Sequence, residues 1–567
     1  MCASPDPLRA ARLIALGRAG GRIAAVALDD TGEAARIDVP VDEAPAWIAD
    51  VERAGGPRWV WSDTRDWATW LLAHETTVAR CHDLRLSHAI LAAAEGGAAP
   101  SAWDAMPDAA PADDGLFRIE PSGPRLDGID ETLAEWGRQA AALRASPRSA
   151  GLRLLLAAES AGSLVAAEMH AAGLPWDVRR HEEILTDELG ARGTGGRPEK
   201  LEAVAARVRE ALGDPSANLD SHLRLLRSLR AAGVQVDSTS RWELSEHDHP
   251  VIEPLLEYKR LSRLLSANGW AWLDEWVSGG RFRPVFVPGG VVTGRWASSG
   301  GGALQLPRQL RPAVRADAGW RIIDADVAQL EPRVLAAMAR DEDMARAAAG
   351  RDLYEGIVAS GAVATRSEAK IAVLGAMYGA TTGDSGRLVP RLRRVFPAAM
   401  RLVDDAARSG ERGDTVATWL GRTSPPPGDA WHEQQSRASA MGASGAEEAR
   451  ARRAARDHGR FTRNFVVQGT AAEWALAWMA DLRLRLAALP PVEASEAAPR
   501  SGSLFGRRAH LAFFLHDELI VHAPASLADA AAEAMRESAA AAGRTLFGDF
   551  PIDFPLDLRV SDGLEAH

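Results

Sequence analysis

RIIDADVAQLEPRVLAAMARD (321–341) is an apolar strand pattern that ends in Asp326 and passes directly into a helical pattern carrying Glu331 and Arg333. A second segment, LAFFLHDELIVHAP (511–524), is an apolar run interrupted by His516, Asp517 and Glu518, and it reads as two strands around a polar tip. Singly, each has a plain explanation: a strand end with a helix cap, and a solvated acidic turn. Together they deliver carboxylates at the ends of two separate strands. A hard cation needs that arrangement, with oxygen ligands from different elements on one rigid sheet. Two Mg²⁺ ions held by such a pair would activate an attacking oxygen and stabilise a leaving one.

A third segment, TRSEAKIAVLGAMYGA (365–380), read as a helix, sets Arg366, Lys370, Leu374 and Tyr378 at intervals of four on one face. Only three of the 66 basic residues are Lys (Lys200, Lys259, Lys370), and only three residues are Tyr against 18 Trp, so a Lys and a Tyr sharing a face stand out. A solvated basic stripe is the plain reading. The functional one is a face turned to a triphosphate, with Arg366 and Lys370 on phosphate oxygens and the Tyr378 ring near a base.

The remaining composition bounds the class. At 567 residues, 46% hydrophobic and 25% charged, the chain has length for several cores and is neither disordered nor fibrous. Cys2 and Cys81 supply neither a disulfide framework nor a four-cysteine zinc site, so a reducing, cytoplasmic setting is expected. No uncharged apolar run of about 18 residues is evident, so no membrane crossing is expected. The net charge of -11 excludes a wholly basic surface but permits a local Arg-lined groove. Residues 1–150 read as mixed α/β, with RIAAVAL (22–28) as first strand, WVWS (59–62) as another, and a Pro- and Asp-rich loop over 99–123. Amphipathic helices dominate 152–280. Then come a strand-like RFRPVFVP (281–288), a Gly/Ser segment TGRWASSGGG (293–302), the strand at 321, a long Ala/Arg-rich helical region with a loop at RTSPPPGDAW (422–431), and the final strand pair.

In this order the three segments resemble the family A DNA polymerases, the bacterial DNA polymerase I type. DVAQLEPR, with Asp326, Gln329, Glu331 and Arg333, resembles the family's motif A; RSEAKIAVLGAMYG, with Arg366, Lys370, Tyr378 and Gly379, resembles motif B; His516, Asp517 and Glu518 resemble motif C. TGRWASS with Arg295, the QLP of Gln305 to Pro307, RFTRNFVVQGTAAEW with Arg460, Asn464 and Gln468, and ESAGSLVAAEMHAAGLPWDV (159–178) fill the intervals. The resemblance runs from about residue 155 to the end. It implies an α/β (α+β) right-hand polymerase fold preceded by a small mixed α/β, degenerate exonuclease-like domain over 1–150. The polymerase domain of 151–567 would hold a thumb at about 185–280, a palm at about 281–345 and 490–567, and fingers at about 346–489.

The implied activity is DNA-directed DNA synthesis on a primer-template from dNTPs, in replication or repair, by a nucleoid-associated monomer using two Mg²⁺ ions, with Mn²⁺ as a substitute. Asp326 and Asp517 would bind the metals with the Val327 carbonyl, and Glu518 would support them. Arg366 and Lys370 would hold the triphosphate, and Lys370 would protonate the departing pyrophosphate. His516 and Gln329 would touch phosphates or the primer end. Arg295, Asn464 and Gln468 would read minor-groove acceptors common to every base pair, and Arg460 would join them on primer and template. Glu331 would close the space beside the sugar C2′, which favours DNA over RNA synthesis, because single-subunit RNA polymerases carry a small residue there.

Two departures qualify the match. The family usually has Phe or Tyr where this chain has Leu374, and an aromatic is commoner than Val327. Altered dideoxynucleotide discrimination is therefore expected from Leu374, whereas at Val327 the side chain matters less because the backbone carbonyl does the coordinating. A 3′-5′ exonuclease of the family's type needs an Asp-x-Glu on its first strand and a Tyr or His a turn before its last Asp. RIAAVAL is followed by Asp29 and Asp30 with no such Glu, Asp50-Val51-Glu52 falls in a helical pattern, no Tyr precedes Tyr258, and none of His74, His82 or His88 has an Asp four or five residues on, so proofreading is expected to be absent. A separate 5′ nuclease domain is not expected either. The competing readings are a catalytically weak DNA-binding or scaffolding protein, and a single-subunit RNA polymerase or primase-like enzyme.

Overall fold

Small and β-branched apolar residues open the chain as a sheet. β1 (Leu13–Ala19), β2 (Arg22–Asp29) and β3 (Gly32–Pro40) form an antiparallel meander, and β4 (Arg58–Trp61) and β5 (Arg80–Asp83) add in parallel beyond β1, in the order β3-β2-β1-β4-β5. Parallel neighbours need a crossover; α1 (Ala44–Gly55) and α2 (Thr64–Ala73), the latter capped by the Asp63 carboxylate on the Arg65 N–H, supply it. α3 (Leu84–Glu95), α4 (Ile129–Ala145) and α5 (Ser149–Ala172) follow. The computed structural model describes residues 8–29, 32–95, 102–105, 126–192, 197–300, 302, 306–350, 352–380 and 383–565.

Two sequence expectations change here. The strand expected to be first is the second: β1, LIALGRA, precedes it and carries no carboxylate. Asp29 ends β2 and accepts the Gly32 N–H at 3.1 Å, whereas Asp30 lies outside the described residues. Of the loop placed at 99–123, residues 102–105 form one 3-10 turn and the rest lies outside the described residues. α5 is long and apolar enough to cross a membrane, but it carries Arg153, Glu159 and Glu168, so no uncharged run is formed; 61% of its apolar window is buried and it packs on α2 and β5 as a core helix.

The chain divides into two compact units, one of Met1–Gly173, Val285–Gly300 and Ala318–Ser561, the other of Leu174–Pro284, Gly301–Asp317 and Asp562–His567. The second holds β6 (Leu174–Pro175), α6 (Val178–Leu189), α7 (Glu199–Leu212), α8 (His222–Ala231), α9 (Arg241–Leu244), α10 (Ile252–Asn268), α11 (Trp270–Trp276), β7 (Val277–Ser278) and β8 (Arg281–Phe282). Its helices bury leucines at three- and four-residue spacing, as with Leu225, Leu226 and Leu229 of α8, and the rings of Trp176, Trp272 and Phe282 pack together at steep angles beside its short sheet.

The first unit continues with β9 (Val285–Val287) and β10 (Ala297–Gly300), a short antiparallel pair with a register shift after Ser298. RFRPVFVP is thus two strands, split at Pro284, which has no N–H to give a ladder; the Gly/Ser segment is partly strand. β11 (Trp320–Val327) leads into α12 (Leu330–Ala339), α13 (Glu342–Ala348), α14 (Leu353–Ala359), α15 (Arg366–Tyr378), α16 (Gly383–Val395), α17 (Pro397–Glu411), α18 (Asp429–Ser439), α19 (Gly445–Ala488) and α20 (Gly502–Phe505). β12 (His510–Leu515), β13 (Glu518–Pro524), α21 (Ala528–Phe547) and β14 (Leu556–Ser561) complete it. The central sheet runs β12-β13-β11-β14, antiparallel throughout, with α21 packed on β11, β13 and β14. Helices α12 to α17 enclose a second core of Leu353, Ile357, Val373, Met377, Leu392 and Phe396.

The 44-residue α19 starts at a capping box, Ser444 with Glu447, and buries Glu473 well inside it. The Glu473 carboxylate accepts the Thr418 hydroxyl and, at 2.9 Å, the Leu420 N–H, and burial pushes its carboxyl up to about 7. A carboxyl raised on folding contributes stability that is fully present below its ordinary 4.5 and is lost as pH rises through about 7. Stability should therefore fall between about pH 5 and about pH 8 in the wild type, and Glu473→Gln should flatten that slope, as read from denaturant midpoints across the range.

Candidate active site

Strand pairing places the acids. In the β11–β13 ladder Asp326 faces Glu518, and one step on the Val327 N–H donates to the Asp517 carbonyl at 3.1 Å. Asp517 therefore sits in the tight β12–β13 turn beside the end of β11, with His516 in the left-handed region at φ 60°. Asp326 is exposed and Glu518 buried; burial holds the Asp517 carboxyl above the usual carboxylate range. On the other side of β11, Asp557 of β14 stands opposite Asp326. Residues directly opposite in an antiparallel pair share a sheet face, so Glu518, Asp326 and Asp557 line one row.

These donors are carboxylate oxygens, the ligand type Mg²⁺ takes. Among the described residues no group of three or more His, Cys, Asp or Glu is gathered as a ready cage. A Mg²⁺ site completed by substrate phosphates and water needs only one or two carboxylates, so Asp326 and Asp517 fit it.

α15 begins at Thr365, whose hydroxyl accepts the Glu368 N–H at 3.1 Å, and ends at Gly379, left-handed at φ 70° with Arg460 packed where a Cβ would stand. Arg366, Lys370 and Tyr378 lie on its exposed face, and Leu374 between them is half-buried against the helical core. Lys370 has no ion-pair partner among the described residues. Arg366 donates to Asp352 at 2.7 Å and its guanidinium lies 5.6 Å from the Tyr354 ring centre. Asp352 also accepts the Gln329 amide at 3.1 Å, and the Gln329 carbonyl accepts the Leu353 N–H, so one carboxylate ties Gln329 to Arg366. Burial works to raise the Asp352 carboxyl, and the hydrogen bonds from Arg366 and the Glu355 N–H more than offset it.

Glu331 is the second junction. One of its oxygens pairs with Arg295; the other accepts the Tyr378 hydroxyl at 2.8 Å. Gln468 of α19 also hydrogen-bonds Tyr378, whose phenol is raised by burial and by Glu331. Arg295, Glu331, Tyr378 and Gln468, distant in sequence, form one network. Asn464 and Arg460 lie one and two turns before Gln468 on α19; Arg460 pairs with Asp457 instead. Gln305 lies outside the described residues.

Asp352, Tyr354 and Asp557 are the residues sequence reading passed over. Tyr354 is one of the three tyrosines, and Asp352 with Glu355 spells a helix cap, so both left a trace; Asp557 left none, because only strand register reveals it.

A family model, DNA polymerase family A, matches residues 200–564. The chain belongs to DNA polymerase family A. It is 25% identical over 485 residues to the thermostable DNA polymerase I of Thermus aquaticus, covering 77% of this chain and 49% of that one. It is 28% identical over 347 residues to DNA polymerase I of Chloroflexus aurantiacus, covering 56% and 33%. The chain thus spans about half the length, or less, of these relatives. The POL domain of Pol1 from M. smegmatis, solved in complex with DNA primer-template and dNTP, superposes with a TM-score of 0.68 at 18% identity, over 97% of this chain and 95% of that one. The family A polymerase fold, with a small N-terminal α/β region, is therefore the fold of this chain.

Arg333 of motif A belongs to the scaffold. It is fully buried, and donates to the carbonyls of Ala328, Ala348 and Asp553 and to the Asp553 carboxylate at 2.6 Å. Arg333→Met removes the donor these groups share and should cost about 3 kcal/mol of unfolding free energy, measurable by denaturant titration.

Proposed function

We propose that this chain is a DNA-directed DNA polymerase that extends a primer 3′ end with dNTPs on a DNA template. One observation carries the reading: β11 and β13 pair so that Asp326 and Asp517 stand at one end of the sheet, in a chain whose α15 turns Arg366 and Lys370 outward. Family membership and the fold shared with a polymerase solved on primer-template and dNTP support it.

Asp326 and Asp517, with the Val327 carbonyl and with Glu518 beside them, would hold two Mg²⁺ ions. Bound there, the ions would lower the charge barrier to in-line attack by the primer 3′ oxygen. Arg366 and Lys370 bind triphosphate oxygens, Asp352 fixes the direction of Arg366, and Lys370 gives a proton to the departing pyrophosphate oxygen. His516 and Gln329 flank the phosphates or the primer end. Arg295, Arg460, Asn464 and Gln468 contact the new base pair and its strands at minor-groove acceptors that every pair presents, so the template selects the base. Glu331, held by Tyr378 and Arg295, fills the space beside the sugar C2′. In the same reading the second compact unit, rich in amphipathic helices, serves as thumb, β11 to β14 as palm and α15 with its neighbours as fingers. The 1–150 region contributes no proofreading, and the enzyme works as a cytoplasmic, nucleoid-associated monomer.

The test is extension of a labelled primer with Mg²⁺. dNTP addition that disappears in Asp517→Ala supports the reading; primer-template binding without extension overturns it. Glu331→Ala should raise ribonucleotide use relative to dNTP by about tenfold or more, since a few kcal/mol of exclusion is withdrawn. Leu374→Phe should change the ratio of dideoxy- to deoxynucleotide incorporation, measured in competition.

A further inference from the structure

The loop between β9 and β10 carries Arg295 at its far end. It turns tightly, with the Gly294 N–H on the Val291 carbonyl at 2.7 Å and the Val291 N–H on the Arg295 carbonyl at 3.1 Å. Beneath it lies a buried ion pair from distant parts of the chain: Arg422 donates to Glu159 of α5 at 2.5 Å, with 12% and 1% of the two side chains exposed. Both partners press on glycines of this loop. A Cβ on Gly294, at φ +84°, would lie 2.5 Å from Arg422 Nε, and one on Gly289, at φ +65°, would lie 2.8 Å from Glu159 Oε1.

Arg422 is itself fixed from behind. Its N–H donates to the Thr418 hydroxyl oxygen and its carbonyl accepts the Thr418 N–H, both at 2.9 Å, while Thr418 and Leu420 are held by Glu473. The same α19 carries Gly469, where a Cβ would meet Thr418 and the Thr293 carbonyl, directly after the Gln468 that reaches Tyr378.

We propose that the Glu159–Arg422 pair is a positioning device for Arg295, clamping the β9–β10 loop so that Arg295 meets Glu331 in one geometry. Breaking a buried pair leaves a charge without its partner, and the side chains that press on the loop's two left-handed glycines lose their fixed positions. Arg295 drifts, Glu331 keeps only its Tyr378 hydrogen bond, and the wall beside the sugar loosens. The inference rests on the polymerase reading for its consequence, but not for the clamp itself.

Two readouts separate them. Hydrogen exchange of the 288–296 segment should quicken in Arg422→Gln and Glu159→Gln while the central sheet keeps its protection. An unchanged rate in that segment overturns the clamp, whatever the enzyme does. In primer extension, Arg422→Gln should lower the dNTP-to-rNTP ratio of kcat/KM by about tenfold, the scale of a small misplacement, and should add nothing further in an Arg295→Ala background. A variant that loses only thermal stability, or whose effect adds in full to that of Arg295→Ala, contradicts the proposal. If Arg422→Gln does not fold, Gly294→Ala, which displaces the guanidinium instead of removing it, should give the same loss of selectivity. A wild type that extends no primer sinks the polymerase reading and leaves the exchange result to decide the clamp.

Discussion

An antiparallel ladder decides which residues face each other, and a slip of one residue would turn every side chain to the opposite face of the sheet. Here the β11–β13 ladder ends with Asp326 opposite Glu518 and with the Val327 N–H on the Asp517 carbonyl. Everything at the site depends on that register. It brings two motifs nearly two hundred residues apart in sequence to one sheet end, and it keeps a half-buried carboxyl, Asp517, where burial alone disfavours its charge. Burial there disfavours the free carboxylate, and positive charge beside it would favour it.

Around this row the helices supply charge of the other sign, and two carboxylates fix its direction. Asp352 holds Arg366 and Gln329; Glu331 holds Arg295 and accepts the Tyr378 hydroxyl. The exposed pairs in these junctions contribute little to stability. Their value is geometric: each locks a long side chain in one rotamer before any ligand arrives. Stability comes from elsewhere, from buried Arg333 and the helical core under α15.

Much of this was legible in the sequence. The strand ending at Asp326, the hairpin around Asp517 and the four-residue stripe from Arg366 to Tyr378 are local patterns, and local patterns survive in one dimension. Contacts set by long-range pairing do not. Asp557 enters the acidic row only because β14 pairs with β11, and the Glu159–Arg422 pair joins residues 263 apart. β1 escapes the local pattern for a related reason: Gly17 and Arg18 break its apolar run, yet it lies at the centre of its sheet, where pairing on both sides outweighs weak strand propensity.

In the proposed polymerase, Asp326 and Asp517 together would hold the divalent cations of nucleotidyl transfer. The most direct measurement counts Mn²⁺ bound, by electron paramagnetic resonance, in a complex of the protein with a dideoxy-terminated primer-template and the next dNTP. About two ions per site are expected in the wild type, with the binding lost in both Asp326→Ala and Asp517→Ala while DNA affinity persists. Ion binding indifferent to both substitutions would contradict it.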